Sequence, residues 1–176
     1  MHGPVAANTL ASEPMRFACG CEAWSRRPKG GDIVTTIEKS ILIDAPLKEV
    51  FSYLDEPTHL PEIWPSMVEV KEVASLPKGG HRYHWVYKMA GVRFEGESET
   101  VAFDPDRHFT SKATGQIPAT FNYTFTPIDG KTKIEVKTEY EIPAKLLGKV
   151  SEPFVRKLNE READAFLANL KDRLEK

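Results

Sequence analysis

The stretch HRYHWVYKM-AG-VRFEGESETVA, residues 81 to 102, decides the fold. Successive side chains of an extended chain point to opposite faces, so Tyr83, Trp85, Tyr87 and Met89 share one side and Arg82, His84 and Lys88 the other. After Ala90-Gly91 the alternation resumes, with Phe94, Gly96, Ser98 and Thr100 opposite Arg93, Glu95, Glu97 and Glu99. A two-residue turn at Ala90-Gly91 sets the pairing. Tyr87 then faces Phe94, Trp85 covers Gly96 and Tyr83 faces Ser98, while on the outer side Arg82 meets Glu99 and His84 meets Glu97. Both faces select this one register. A bulged turn would shift it, and Ala90 at a positive φ is not favoured.

Working outward, a period of two runs from Met67 to Pro143. It is punctuated by Pro77-Lys78-Gly79-Gly80, Asp104-Pro105-Asp106, Gly115 to Pro118 and Asp129-Gly130, which yields six strands in a meander. Phe109, Ser111 and Ala113, then Phe121, Tyr123 and Phe125, then Ile134, Val136, Thr138, Tyr140 and Ile142 continue the inward face. Upstream, the β-branched run Ile33 to Ile43 reads as a first strand. It ends at Asp44-Ala45-Pro46, where Asp44 is placed to cap a short helix and Pro46 to enter its first turn. That helix carries Leu47, Val50, Phe51 and Leu54, and Pro57, Pro61 and Pro65 bracket a second one with Leu60, Ile63 and Trp64.

From Ala144 onward Leu146, Leu147, Val150, Phe154, Leu158, Phe166, Leu170 and Leu174 repeat at helical spacing, with Pro153 expected to kink the helix or split off its first turn. A sheet that is apolar on one side must bury that side, and this helix is the only sizeable amphipathic element available. The fold class is therefore α+β: a curved seven-stranded antiparallel sheet wrapped around a long C-terminal helix, with two short helices between strands 1 and 2.

The chain has 176 residues, of which 40% are hydrophobic, and 24 Lys and Arg against 26 Asp and Glu. Such a chain makes one ordinary domain. The net charge of -2 lacks the basic excess of nucleic-acid binders. No apolar run approaches the roughly 18 to 20 residues of a spanning helix, so no integral membrane segment is expected. Residues 1 to 32 show no apolar period and read as a disordered tail, or as a leader upstream of a native start at Val34; residues 33 to 176 form the domain. With no signal-like apolar segment, a cytoplasmic location is expected. Cys19 and Cys21 in the tail do not close a zinc site.

Several motifs resemble the SRPBCC (START-like) superfamily and its helix-grip fold. They are Ile41-Leu42-Ile43-Asp44-Ala45-Pro46, Val50-Phe51 with Leu54, Pro61 with Trp64-Pro65, Asp104-Pro105 with Arg107, and Tyr123-x-Phe125-x-Pro127-x-x-Gly130-x-Thr132-x-Ile134. The likeness spans about residues 33 to 175 and is strongest to the polyketide cyclase/dehydrase-like group. It implies a deep apolar cavity between helix and sheet that takes lipids, polyketides or similar hydrophobic molecules. The motifs are strand ends, caps and turns, so they speak for fold more than chemistry.

The small inward residues Gly96, Ser98, Thr100, Ser111, Ala113 and Thr138 leave room on a face where a solid core favours Leu, Ile and Val. The expected ligand-contacting set is Trp64, Tyr83, Trp85, Tyr87, Phe94, Ser98, Thr100, Phe109, Phe121, Tyr123, Phe125, Tyr140, Leu147, Phe154 and Leu158. Acid/base work would need an inward titratable group, and Tyr83, Tyr123 and Glu162 are the candidates; Glu162 lies between Leu158 and Phe166 at i, i+4 spacing. His81 and His84 fall on opposite strand faces and cannot share a metal, and Glu95, Glu97 and Glu99 form a solvated outer stripe. No metal or cofactor is expected. The reading is a binding or transport protein for a hydrophobic small molecule, with a cyclase/dehydratase or an accessory interaction module as alternatives and the oligomeric state open.

Overall fold

A computed structural model describes residues 33–89, 91–142 and 152–175. The chain runs β1 (Ile33–Ile43), α1 (Leu47–Asp55), a single 3-10 turn (Pro57–His59), α2 (Leu60–Ile63), β2 (Met67–Ser75), β3 (His81–Met89) and β4 (Val92–Asp104). It continues through β5 (His108–Gly115), β6 (Ala119–Ile128) and β7 (Lys131–Ile142) to α3 (Glu152–Leu174). All neighbouring strands pair antiparallel in the order β1-β7-β6-β5-β4-β3-β2. The first strand thus returns beside the last.

The register read from residues 81 to 102 is the register of the fold. Tyr87 pairs with Phe94, Trp85 with Gly96, Tyr83 with Ser98, His84 with Glu97 and Arg82 with Glu99. Met89 and Val92 are the last pair, so the turn holds two residues. Gly96 is needed for close approach: a Cβ there would stand 2.0 Å from the Thr114 carbonyl oxygen and 2.5 Å from the Trp85 ring. The turn between β6 and β7 is the Asp129-Gly130 pair, with φ of 49° and 81°, the two positive angles that favour Asp-Gly in tight hairpins. β2, an edge strand, pairs irregularly with β3, with register shifts between Met67 and Glu69 and between Lys71 and Ala74.

The inward alternation of β1, β6 and β7 meets α1, α2 and the C-terminal half of α3 in one core, where Ile43, Val50, Ile134 and Leu170 are fully buried. Burial of each such side chain contributes about 1.5–3 kcal/mol. Phe51 anchors the short helix by edge-to-face contacts with Phe103, Phe109 and Phe125 at 5.6, 5.8 and 5.1 Å. One expectation fails locally. Asp44 does not cap α1: Pro46 is the N-cap residue and makes no side-chain bond, while Asp44 pairs with Lys131 at 2.6 Å and its backbone N–H donates to Glu175.

Polar ties fix the far end of α3. Asn169 donates to the Ile63 carbonyl at 3.0 Å, Lys171 to the Leu42 carbonyl at 2.8 Å, and Arg173 pairs with Glu62 at 2.7 Å. The helix is thereby held across α2 and β1, over the inner sheet face. Among the described residues no helix is long and apolar enough to cross a membrane.

Candidate functional site

Between the inner sheet face and α3 lies a cavity of about 220 Å³. Its sheet wall carries Tyr83, Trp85, Tyr87 and Met89 from β3, Phe94, Ser98 and Thr100 from β4, and Phe109, Ser111 and Ala113 from β5. Phe121, Tyr123, Val136, Thr138 and Tyr140 extend it through β6 and β7. Trp64 and Met67 close one side, and α3 contributes Val155, Asn159, Glu162, Ala163, Phe166 and Leu167. The space exists because serine, threonine and alanine stand at inward positions of adjacent strands, where larger aliphatic residues would meet across the layer.

Of the residues expected from sequence, Trp64, Tyr83, Trp85, Tyr87, Phe94, Ser98, Thr100, Phe109, Phe121, Tyr123 and Tyr140 stand around this cavity. Phe125 shares their face but packs under α1 against Phe51 and Phe109, outside the lining. Phe154 is corrected more strongly: its side chain is 54% exposed. Leu158 is half-buried and also outside the lining. The face of α3 that meets the cavity is the neighbouring stripe, Val155, Asn159, Glu162, Phe166, turned about 100° from the expected one. Leu147, with Leu146 and Val150, lies outside the described residues.

Sequence reasoning overlooked Ser66, Met67, Asn159 and Ala163, as well as Lys39, which lines the cavity from β1 and pairs with Asp164 at 2.7 Å. The signal for Asn159 and Ala163 was present: both sit three or four residues from Glu162 and Phe166.

Two polar groups interrupt the apolar walls. In the first, Ser66 donates its hydroxyl to Glu162 Oε1 at 2.7 Å. The Tyr87 hydroxyl faces Ser66, the Trp64 indole N–H and the Glu162 carboxylate, and burial, reinforced by the Glu162 charge, pushes its pKa far above the ordinary value. Glu162 Oε2 and Trp64 Nε1 are both buried without a hydrogen-bond partner among the described residues. In the second group, Ser98 and Ser111 lie 3.2 Å apart, oxygen to oxygen. The Tyr83 hydroxyl faces both; burial pushes its pKa up and the two serines temper the rise. Tyr123 is pushed up further, by burial and then by Tyr83. Trp85 Nε1 and the Tyr140 hydroxyl are likewise buried and unpartnered among the described residues.

The arrangement suits binding of an apolar body with a few orienting hydrogen bonds. Tyr87 stays neutral and can donate, whereas Glu162 can accept. Tyr83 and Tyr123 are held in their neutral forms and are poor proton acceptors. Among the described residues no group of three or more His, Cys, Asp and Glu side chains is placed to hold a metal.

The family model described as polyketide cyclase / dehydrase and lipid transport matches residues 34–175. The chain belongs to that family. Solved structures agree on the fold. The protein TTHA0849 from Thermus thermophilus superposes with a TM-score of 0.70 at 18% identity, covering 80% of this chain and 97% of that one. A START superfamily protein from Mycobacterium smegmatis gives 0.68 at 14% identity, over 80% and 97% of the two chains. The Zhui aromatase/cyclase from Streptomyces sp. R1128 gives 0.68 at 16%, over 81% and 94%. No curated protein matches by sequence. Membership of the family establishes the helix-grip architecture here; at these identities the individual neighbours speak for fold alone.

Proposed function

We propose that this chain binds a hydrophobic small molecule in the cavity between the sheet and α3, as a carrier or binding protein. One observation carries the reading: a cavity of about 220 Å³ walled by aromatic rings, with buried polar atoms in its lining residues that have no partner among the described residues. An apolar cavity of roughly 150 Å³ holds benzene, so this one suits a body of one or two rings or a short branched chain. Affinity comes from apolar burial, about 25 cal/mol per Å² before ordering costs. The family description, which joins polyketide cyclase/dehydrase activity with lipid transport, supports a hydrophobic ligand.

Native mass spectrometry of protein purified from its own host, followed by organic extraction, tests the proposal. A stoichiometric hydrophobic molecule is the expected result. An empty protein that also ignores small aromatic and fatty probes would overturn it and favour an accessory interaction module.

A second reading is favoured by the Ser66–Glu162–Tyr87 cluster, which places a carboxylate and a neutral phenol at the cavity wall. In that reading the same cavity folds a polyketide-like substrate and Glu162 relays a proton. Glu162→Gln should then abolish turnover of an identified ligand with binding retained, and an active variant would dismiss it.

A further inference from the structure

Glu162 Oε2 is an acceptor and Trp64 Nε1 a donor, and each is buried without a partner among the described residues. The Tyr87 hydroxyl faces both side chains, so the two belong to one neighbourhood of the cavity lining. Glu162 takes part in no ion pair among the described residues, and Ser66 serves only its other oxygen. An unmet donor beside an unmet acceptor, both shut off from water, costs stability that a bound group can recover.

The pairing discriminates among ligand chemistries. An ether or ketone accepts only, so it leaves the Glu162 oxygen unmet. An ammonium donates only, and it leaves the indole N–H unmet. A hydroxyl both donates and accepts. Around it stand apolar walls with Trp64 near perpendicular to Tyr87 and Phe121, at 6.3 and 5.4 Å between ring centroids.

We propose that Glu162 Oε2 and Trp64 Nε1 form a hydroxyl-reading site, so that the ligand is a compact hydrophobic molecule bearing a phenolic, enolic or alcoholic hydroxyl. The hydroxyl donates to Glu162 and accepts from Trp64. This rests on the cavity being the ligand site, and it adds which chemical class the cavity selects.

Calorimetric titration of the full chain with four matched probes provides the test: naphthalene, naphthol, methoxynaphthalene and naphthylmethylamine. Naphthol is expected to bind about tenfold or more tightly than naphthalene and methoxynaphthalene, the ratio expected of a hydrogen bond to a charged group. In Glu162→Gln, whose amide can turn a donor toward the ligand, the preference over methoxynaphthalene should fall at least fivefold while naphthalene affinity holds. Trp64→Phe, which keeps an aromatic wall and loses only the N–H donor function, should lower naphthol affinity more than naphthalene affinity. Both variants are checked for native circular dichroism first. If naphthalene binds but naphthol gains nothing, or the amine binds tightest, the hydroxyl site is wrong and the cavity reading stands. If none of the four binds, both fall.

Discussion

Replacing Gly96 by alanine tests the geometry on which the cavity wall depends. A Cβ at residue 96 would lie 2.0 Å from the Thr114 carbonyl oxygen and 2.5 Å from the Trp85 ring, and Gly115 faces Gly96 across the β4–β5 pair. The obstructing oxygen belongs to backbone held in a sheet ladder, so relief requires the strands to part or the indole to swing off its seat. Overpacking of this kind costs about 1–3 kcal/mol, and the backbone contact places Gly96→Ala at about 3 kcal/mol. At about 2–4 °C per kcal/mol for a chain of this size, its melting temperature should fall by roughly 6–12 °C.

Gly130→Ala is the control. Its φ is +81° and nothing lies within 4 Å of the added carbon, so only the left-handed strain remains, about 1–2 kcal/mol. Thermal unfolding followed by circular dichroism reads both variants, and a changed tryptophan emission should accompany the first alone. If Gly130→Ala costs as much as Gly96→Ala, the argument that Trp85 is seated on Gly96 fails.

Three further outcomes follow from the packing and charges. Ala163→Phe, on the cavity-facing stripe of α3, should weaken naphthalene binding at least tenfold, measured by calorimetry, with the far-ultraviolet spectrum preserved. Burial holds the Tyr83, Tyr87 and Tyr123 hydroxyls above their ordinary value of 10; the stability this represents is complete below about pH 10 and lost as pH rises beyond it. Their phenolate absorbance should therefore emerge together with alkaline unfolding, and a gradual titration centred near pH 10 would contradict it. Lys39→Met, which breaks the pair with Asp164 at 30% and 61% side-chain exposure, should change stability by less than about 1 kcal/mol in urea unfolding.

The sheet was legible because its two faces carry independent information. Aromatic and small residues on the inner side of residues 81 to 102 and opposite charges on the outer side agree on one register, and a slip of one residue would violate both. The long helix was legible as an element and misread in its rotation. Ranking α3 positions by apolarity selects Phe154 and Leu158, but the layer opposite that part of the helix is a cavity rather than a solid core. Asn159, Glu162 and Ala163 are tolerated facing it, and Phe154 is left 54% exposed. Glu162 was found by spacing alone. Its partner Ser66 was not, because Trp64-Pro65-Ser66 reads as a break between elements and only the return of β2 past α3 brings the hydroxyl within 2.7 Å of the carboxylate, 96 residues away. Asp44 illustrates the same limit: local capping chemistry lost to long-range partners, Lys131 and the Glu175 carboxylate.

The most direct test of the cavity as a ligand site is a nuclear magnetic resonance titration of the ¹⁵N-labelled chain with naphthalene, following the indole N–H signals of Trp64 and Trp85. Both side chains line the cavity and both Nε1 atoms are buried without partners among the described residues. Saturable shifts of both signals, with one dissociation constant shared by the amides of Ser98 and Ala163, are the predicted result. Unmoved indole signals, or shifts confined to outward residues such as Glu97 and Lys133, would contradict it.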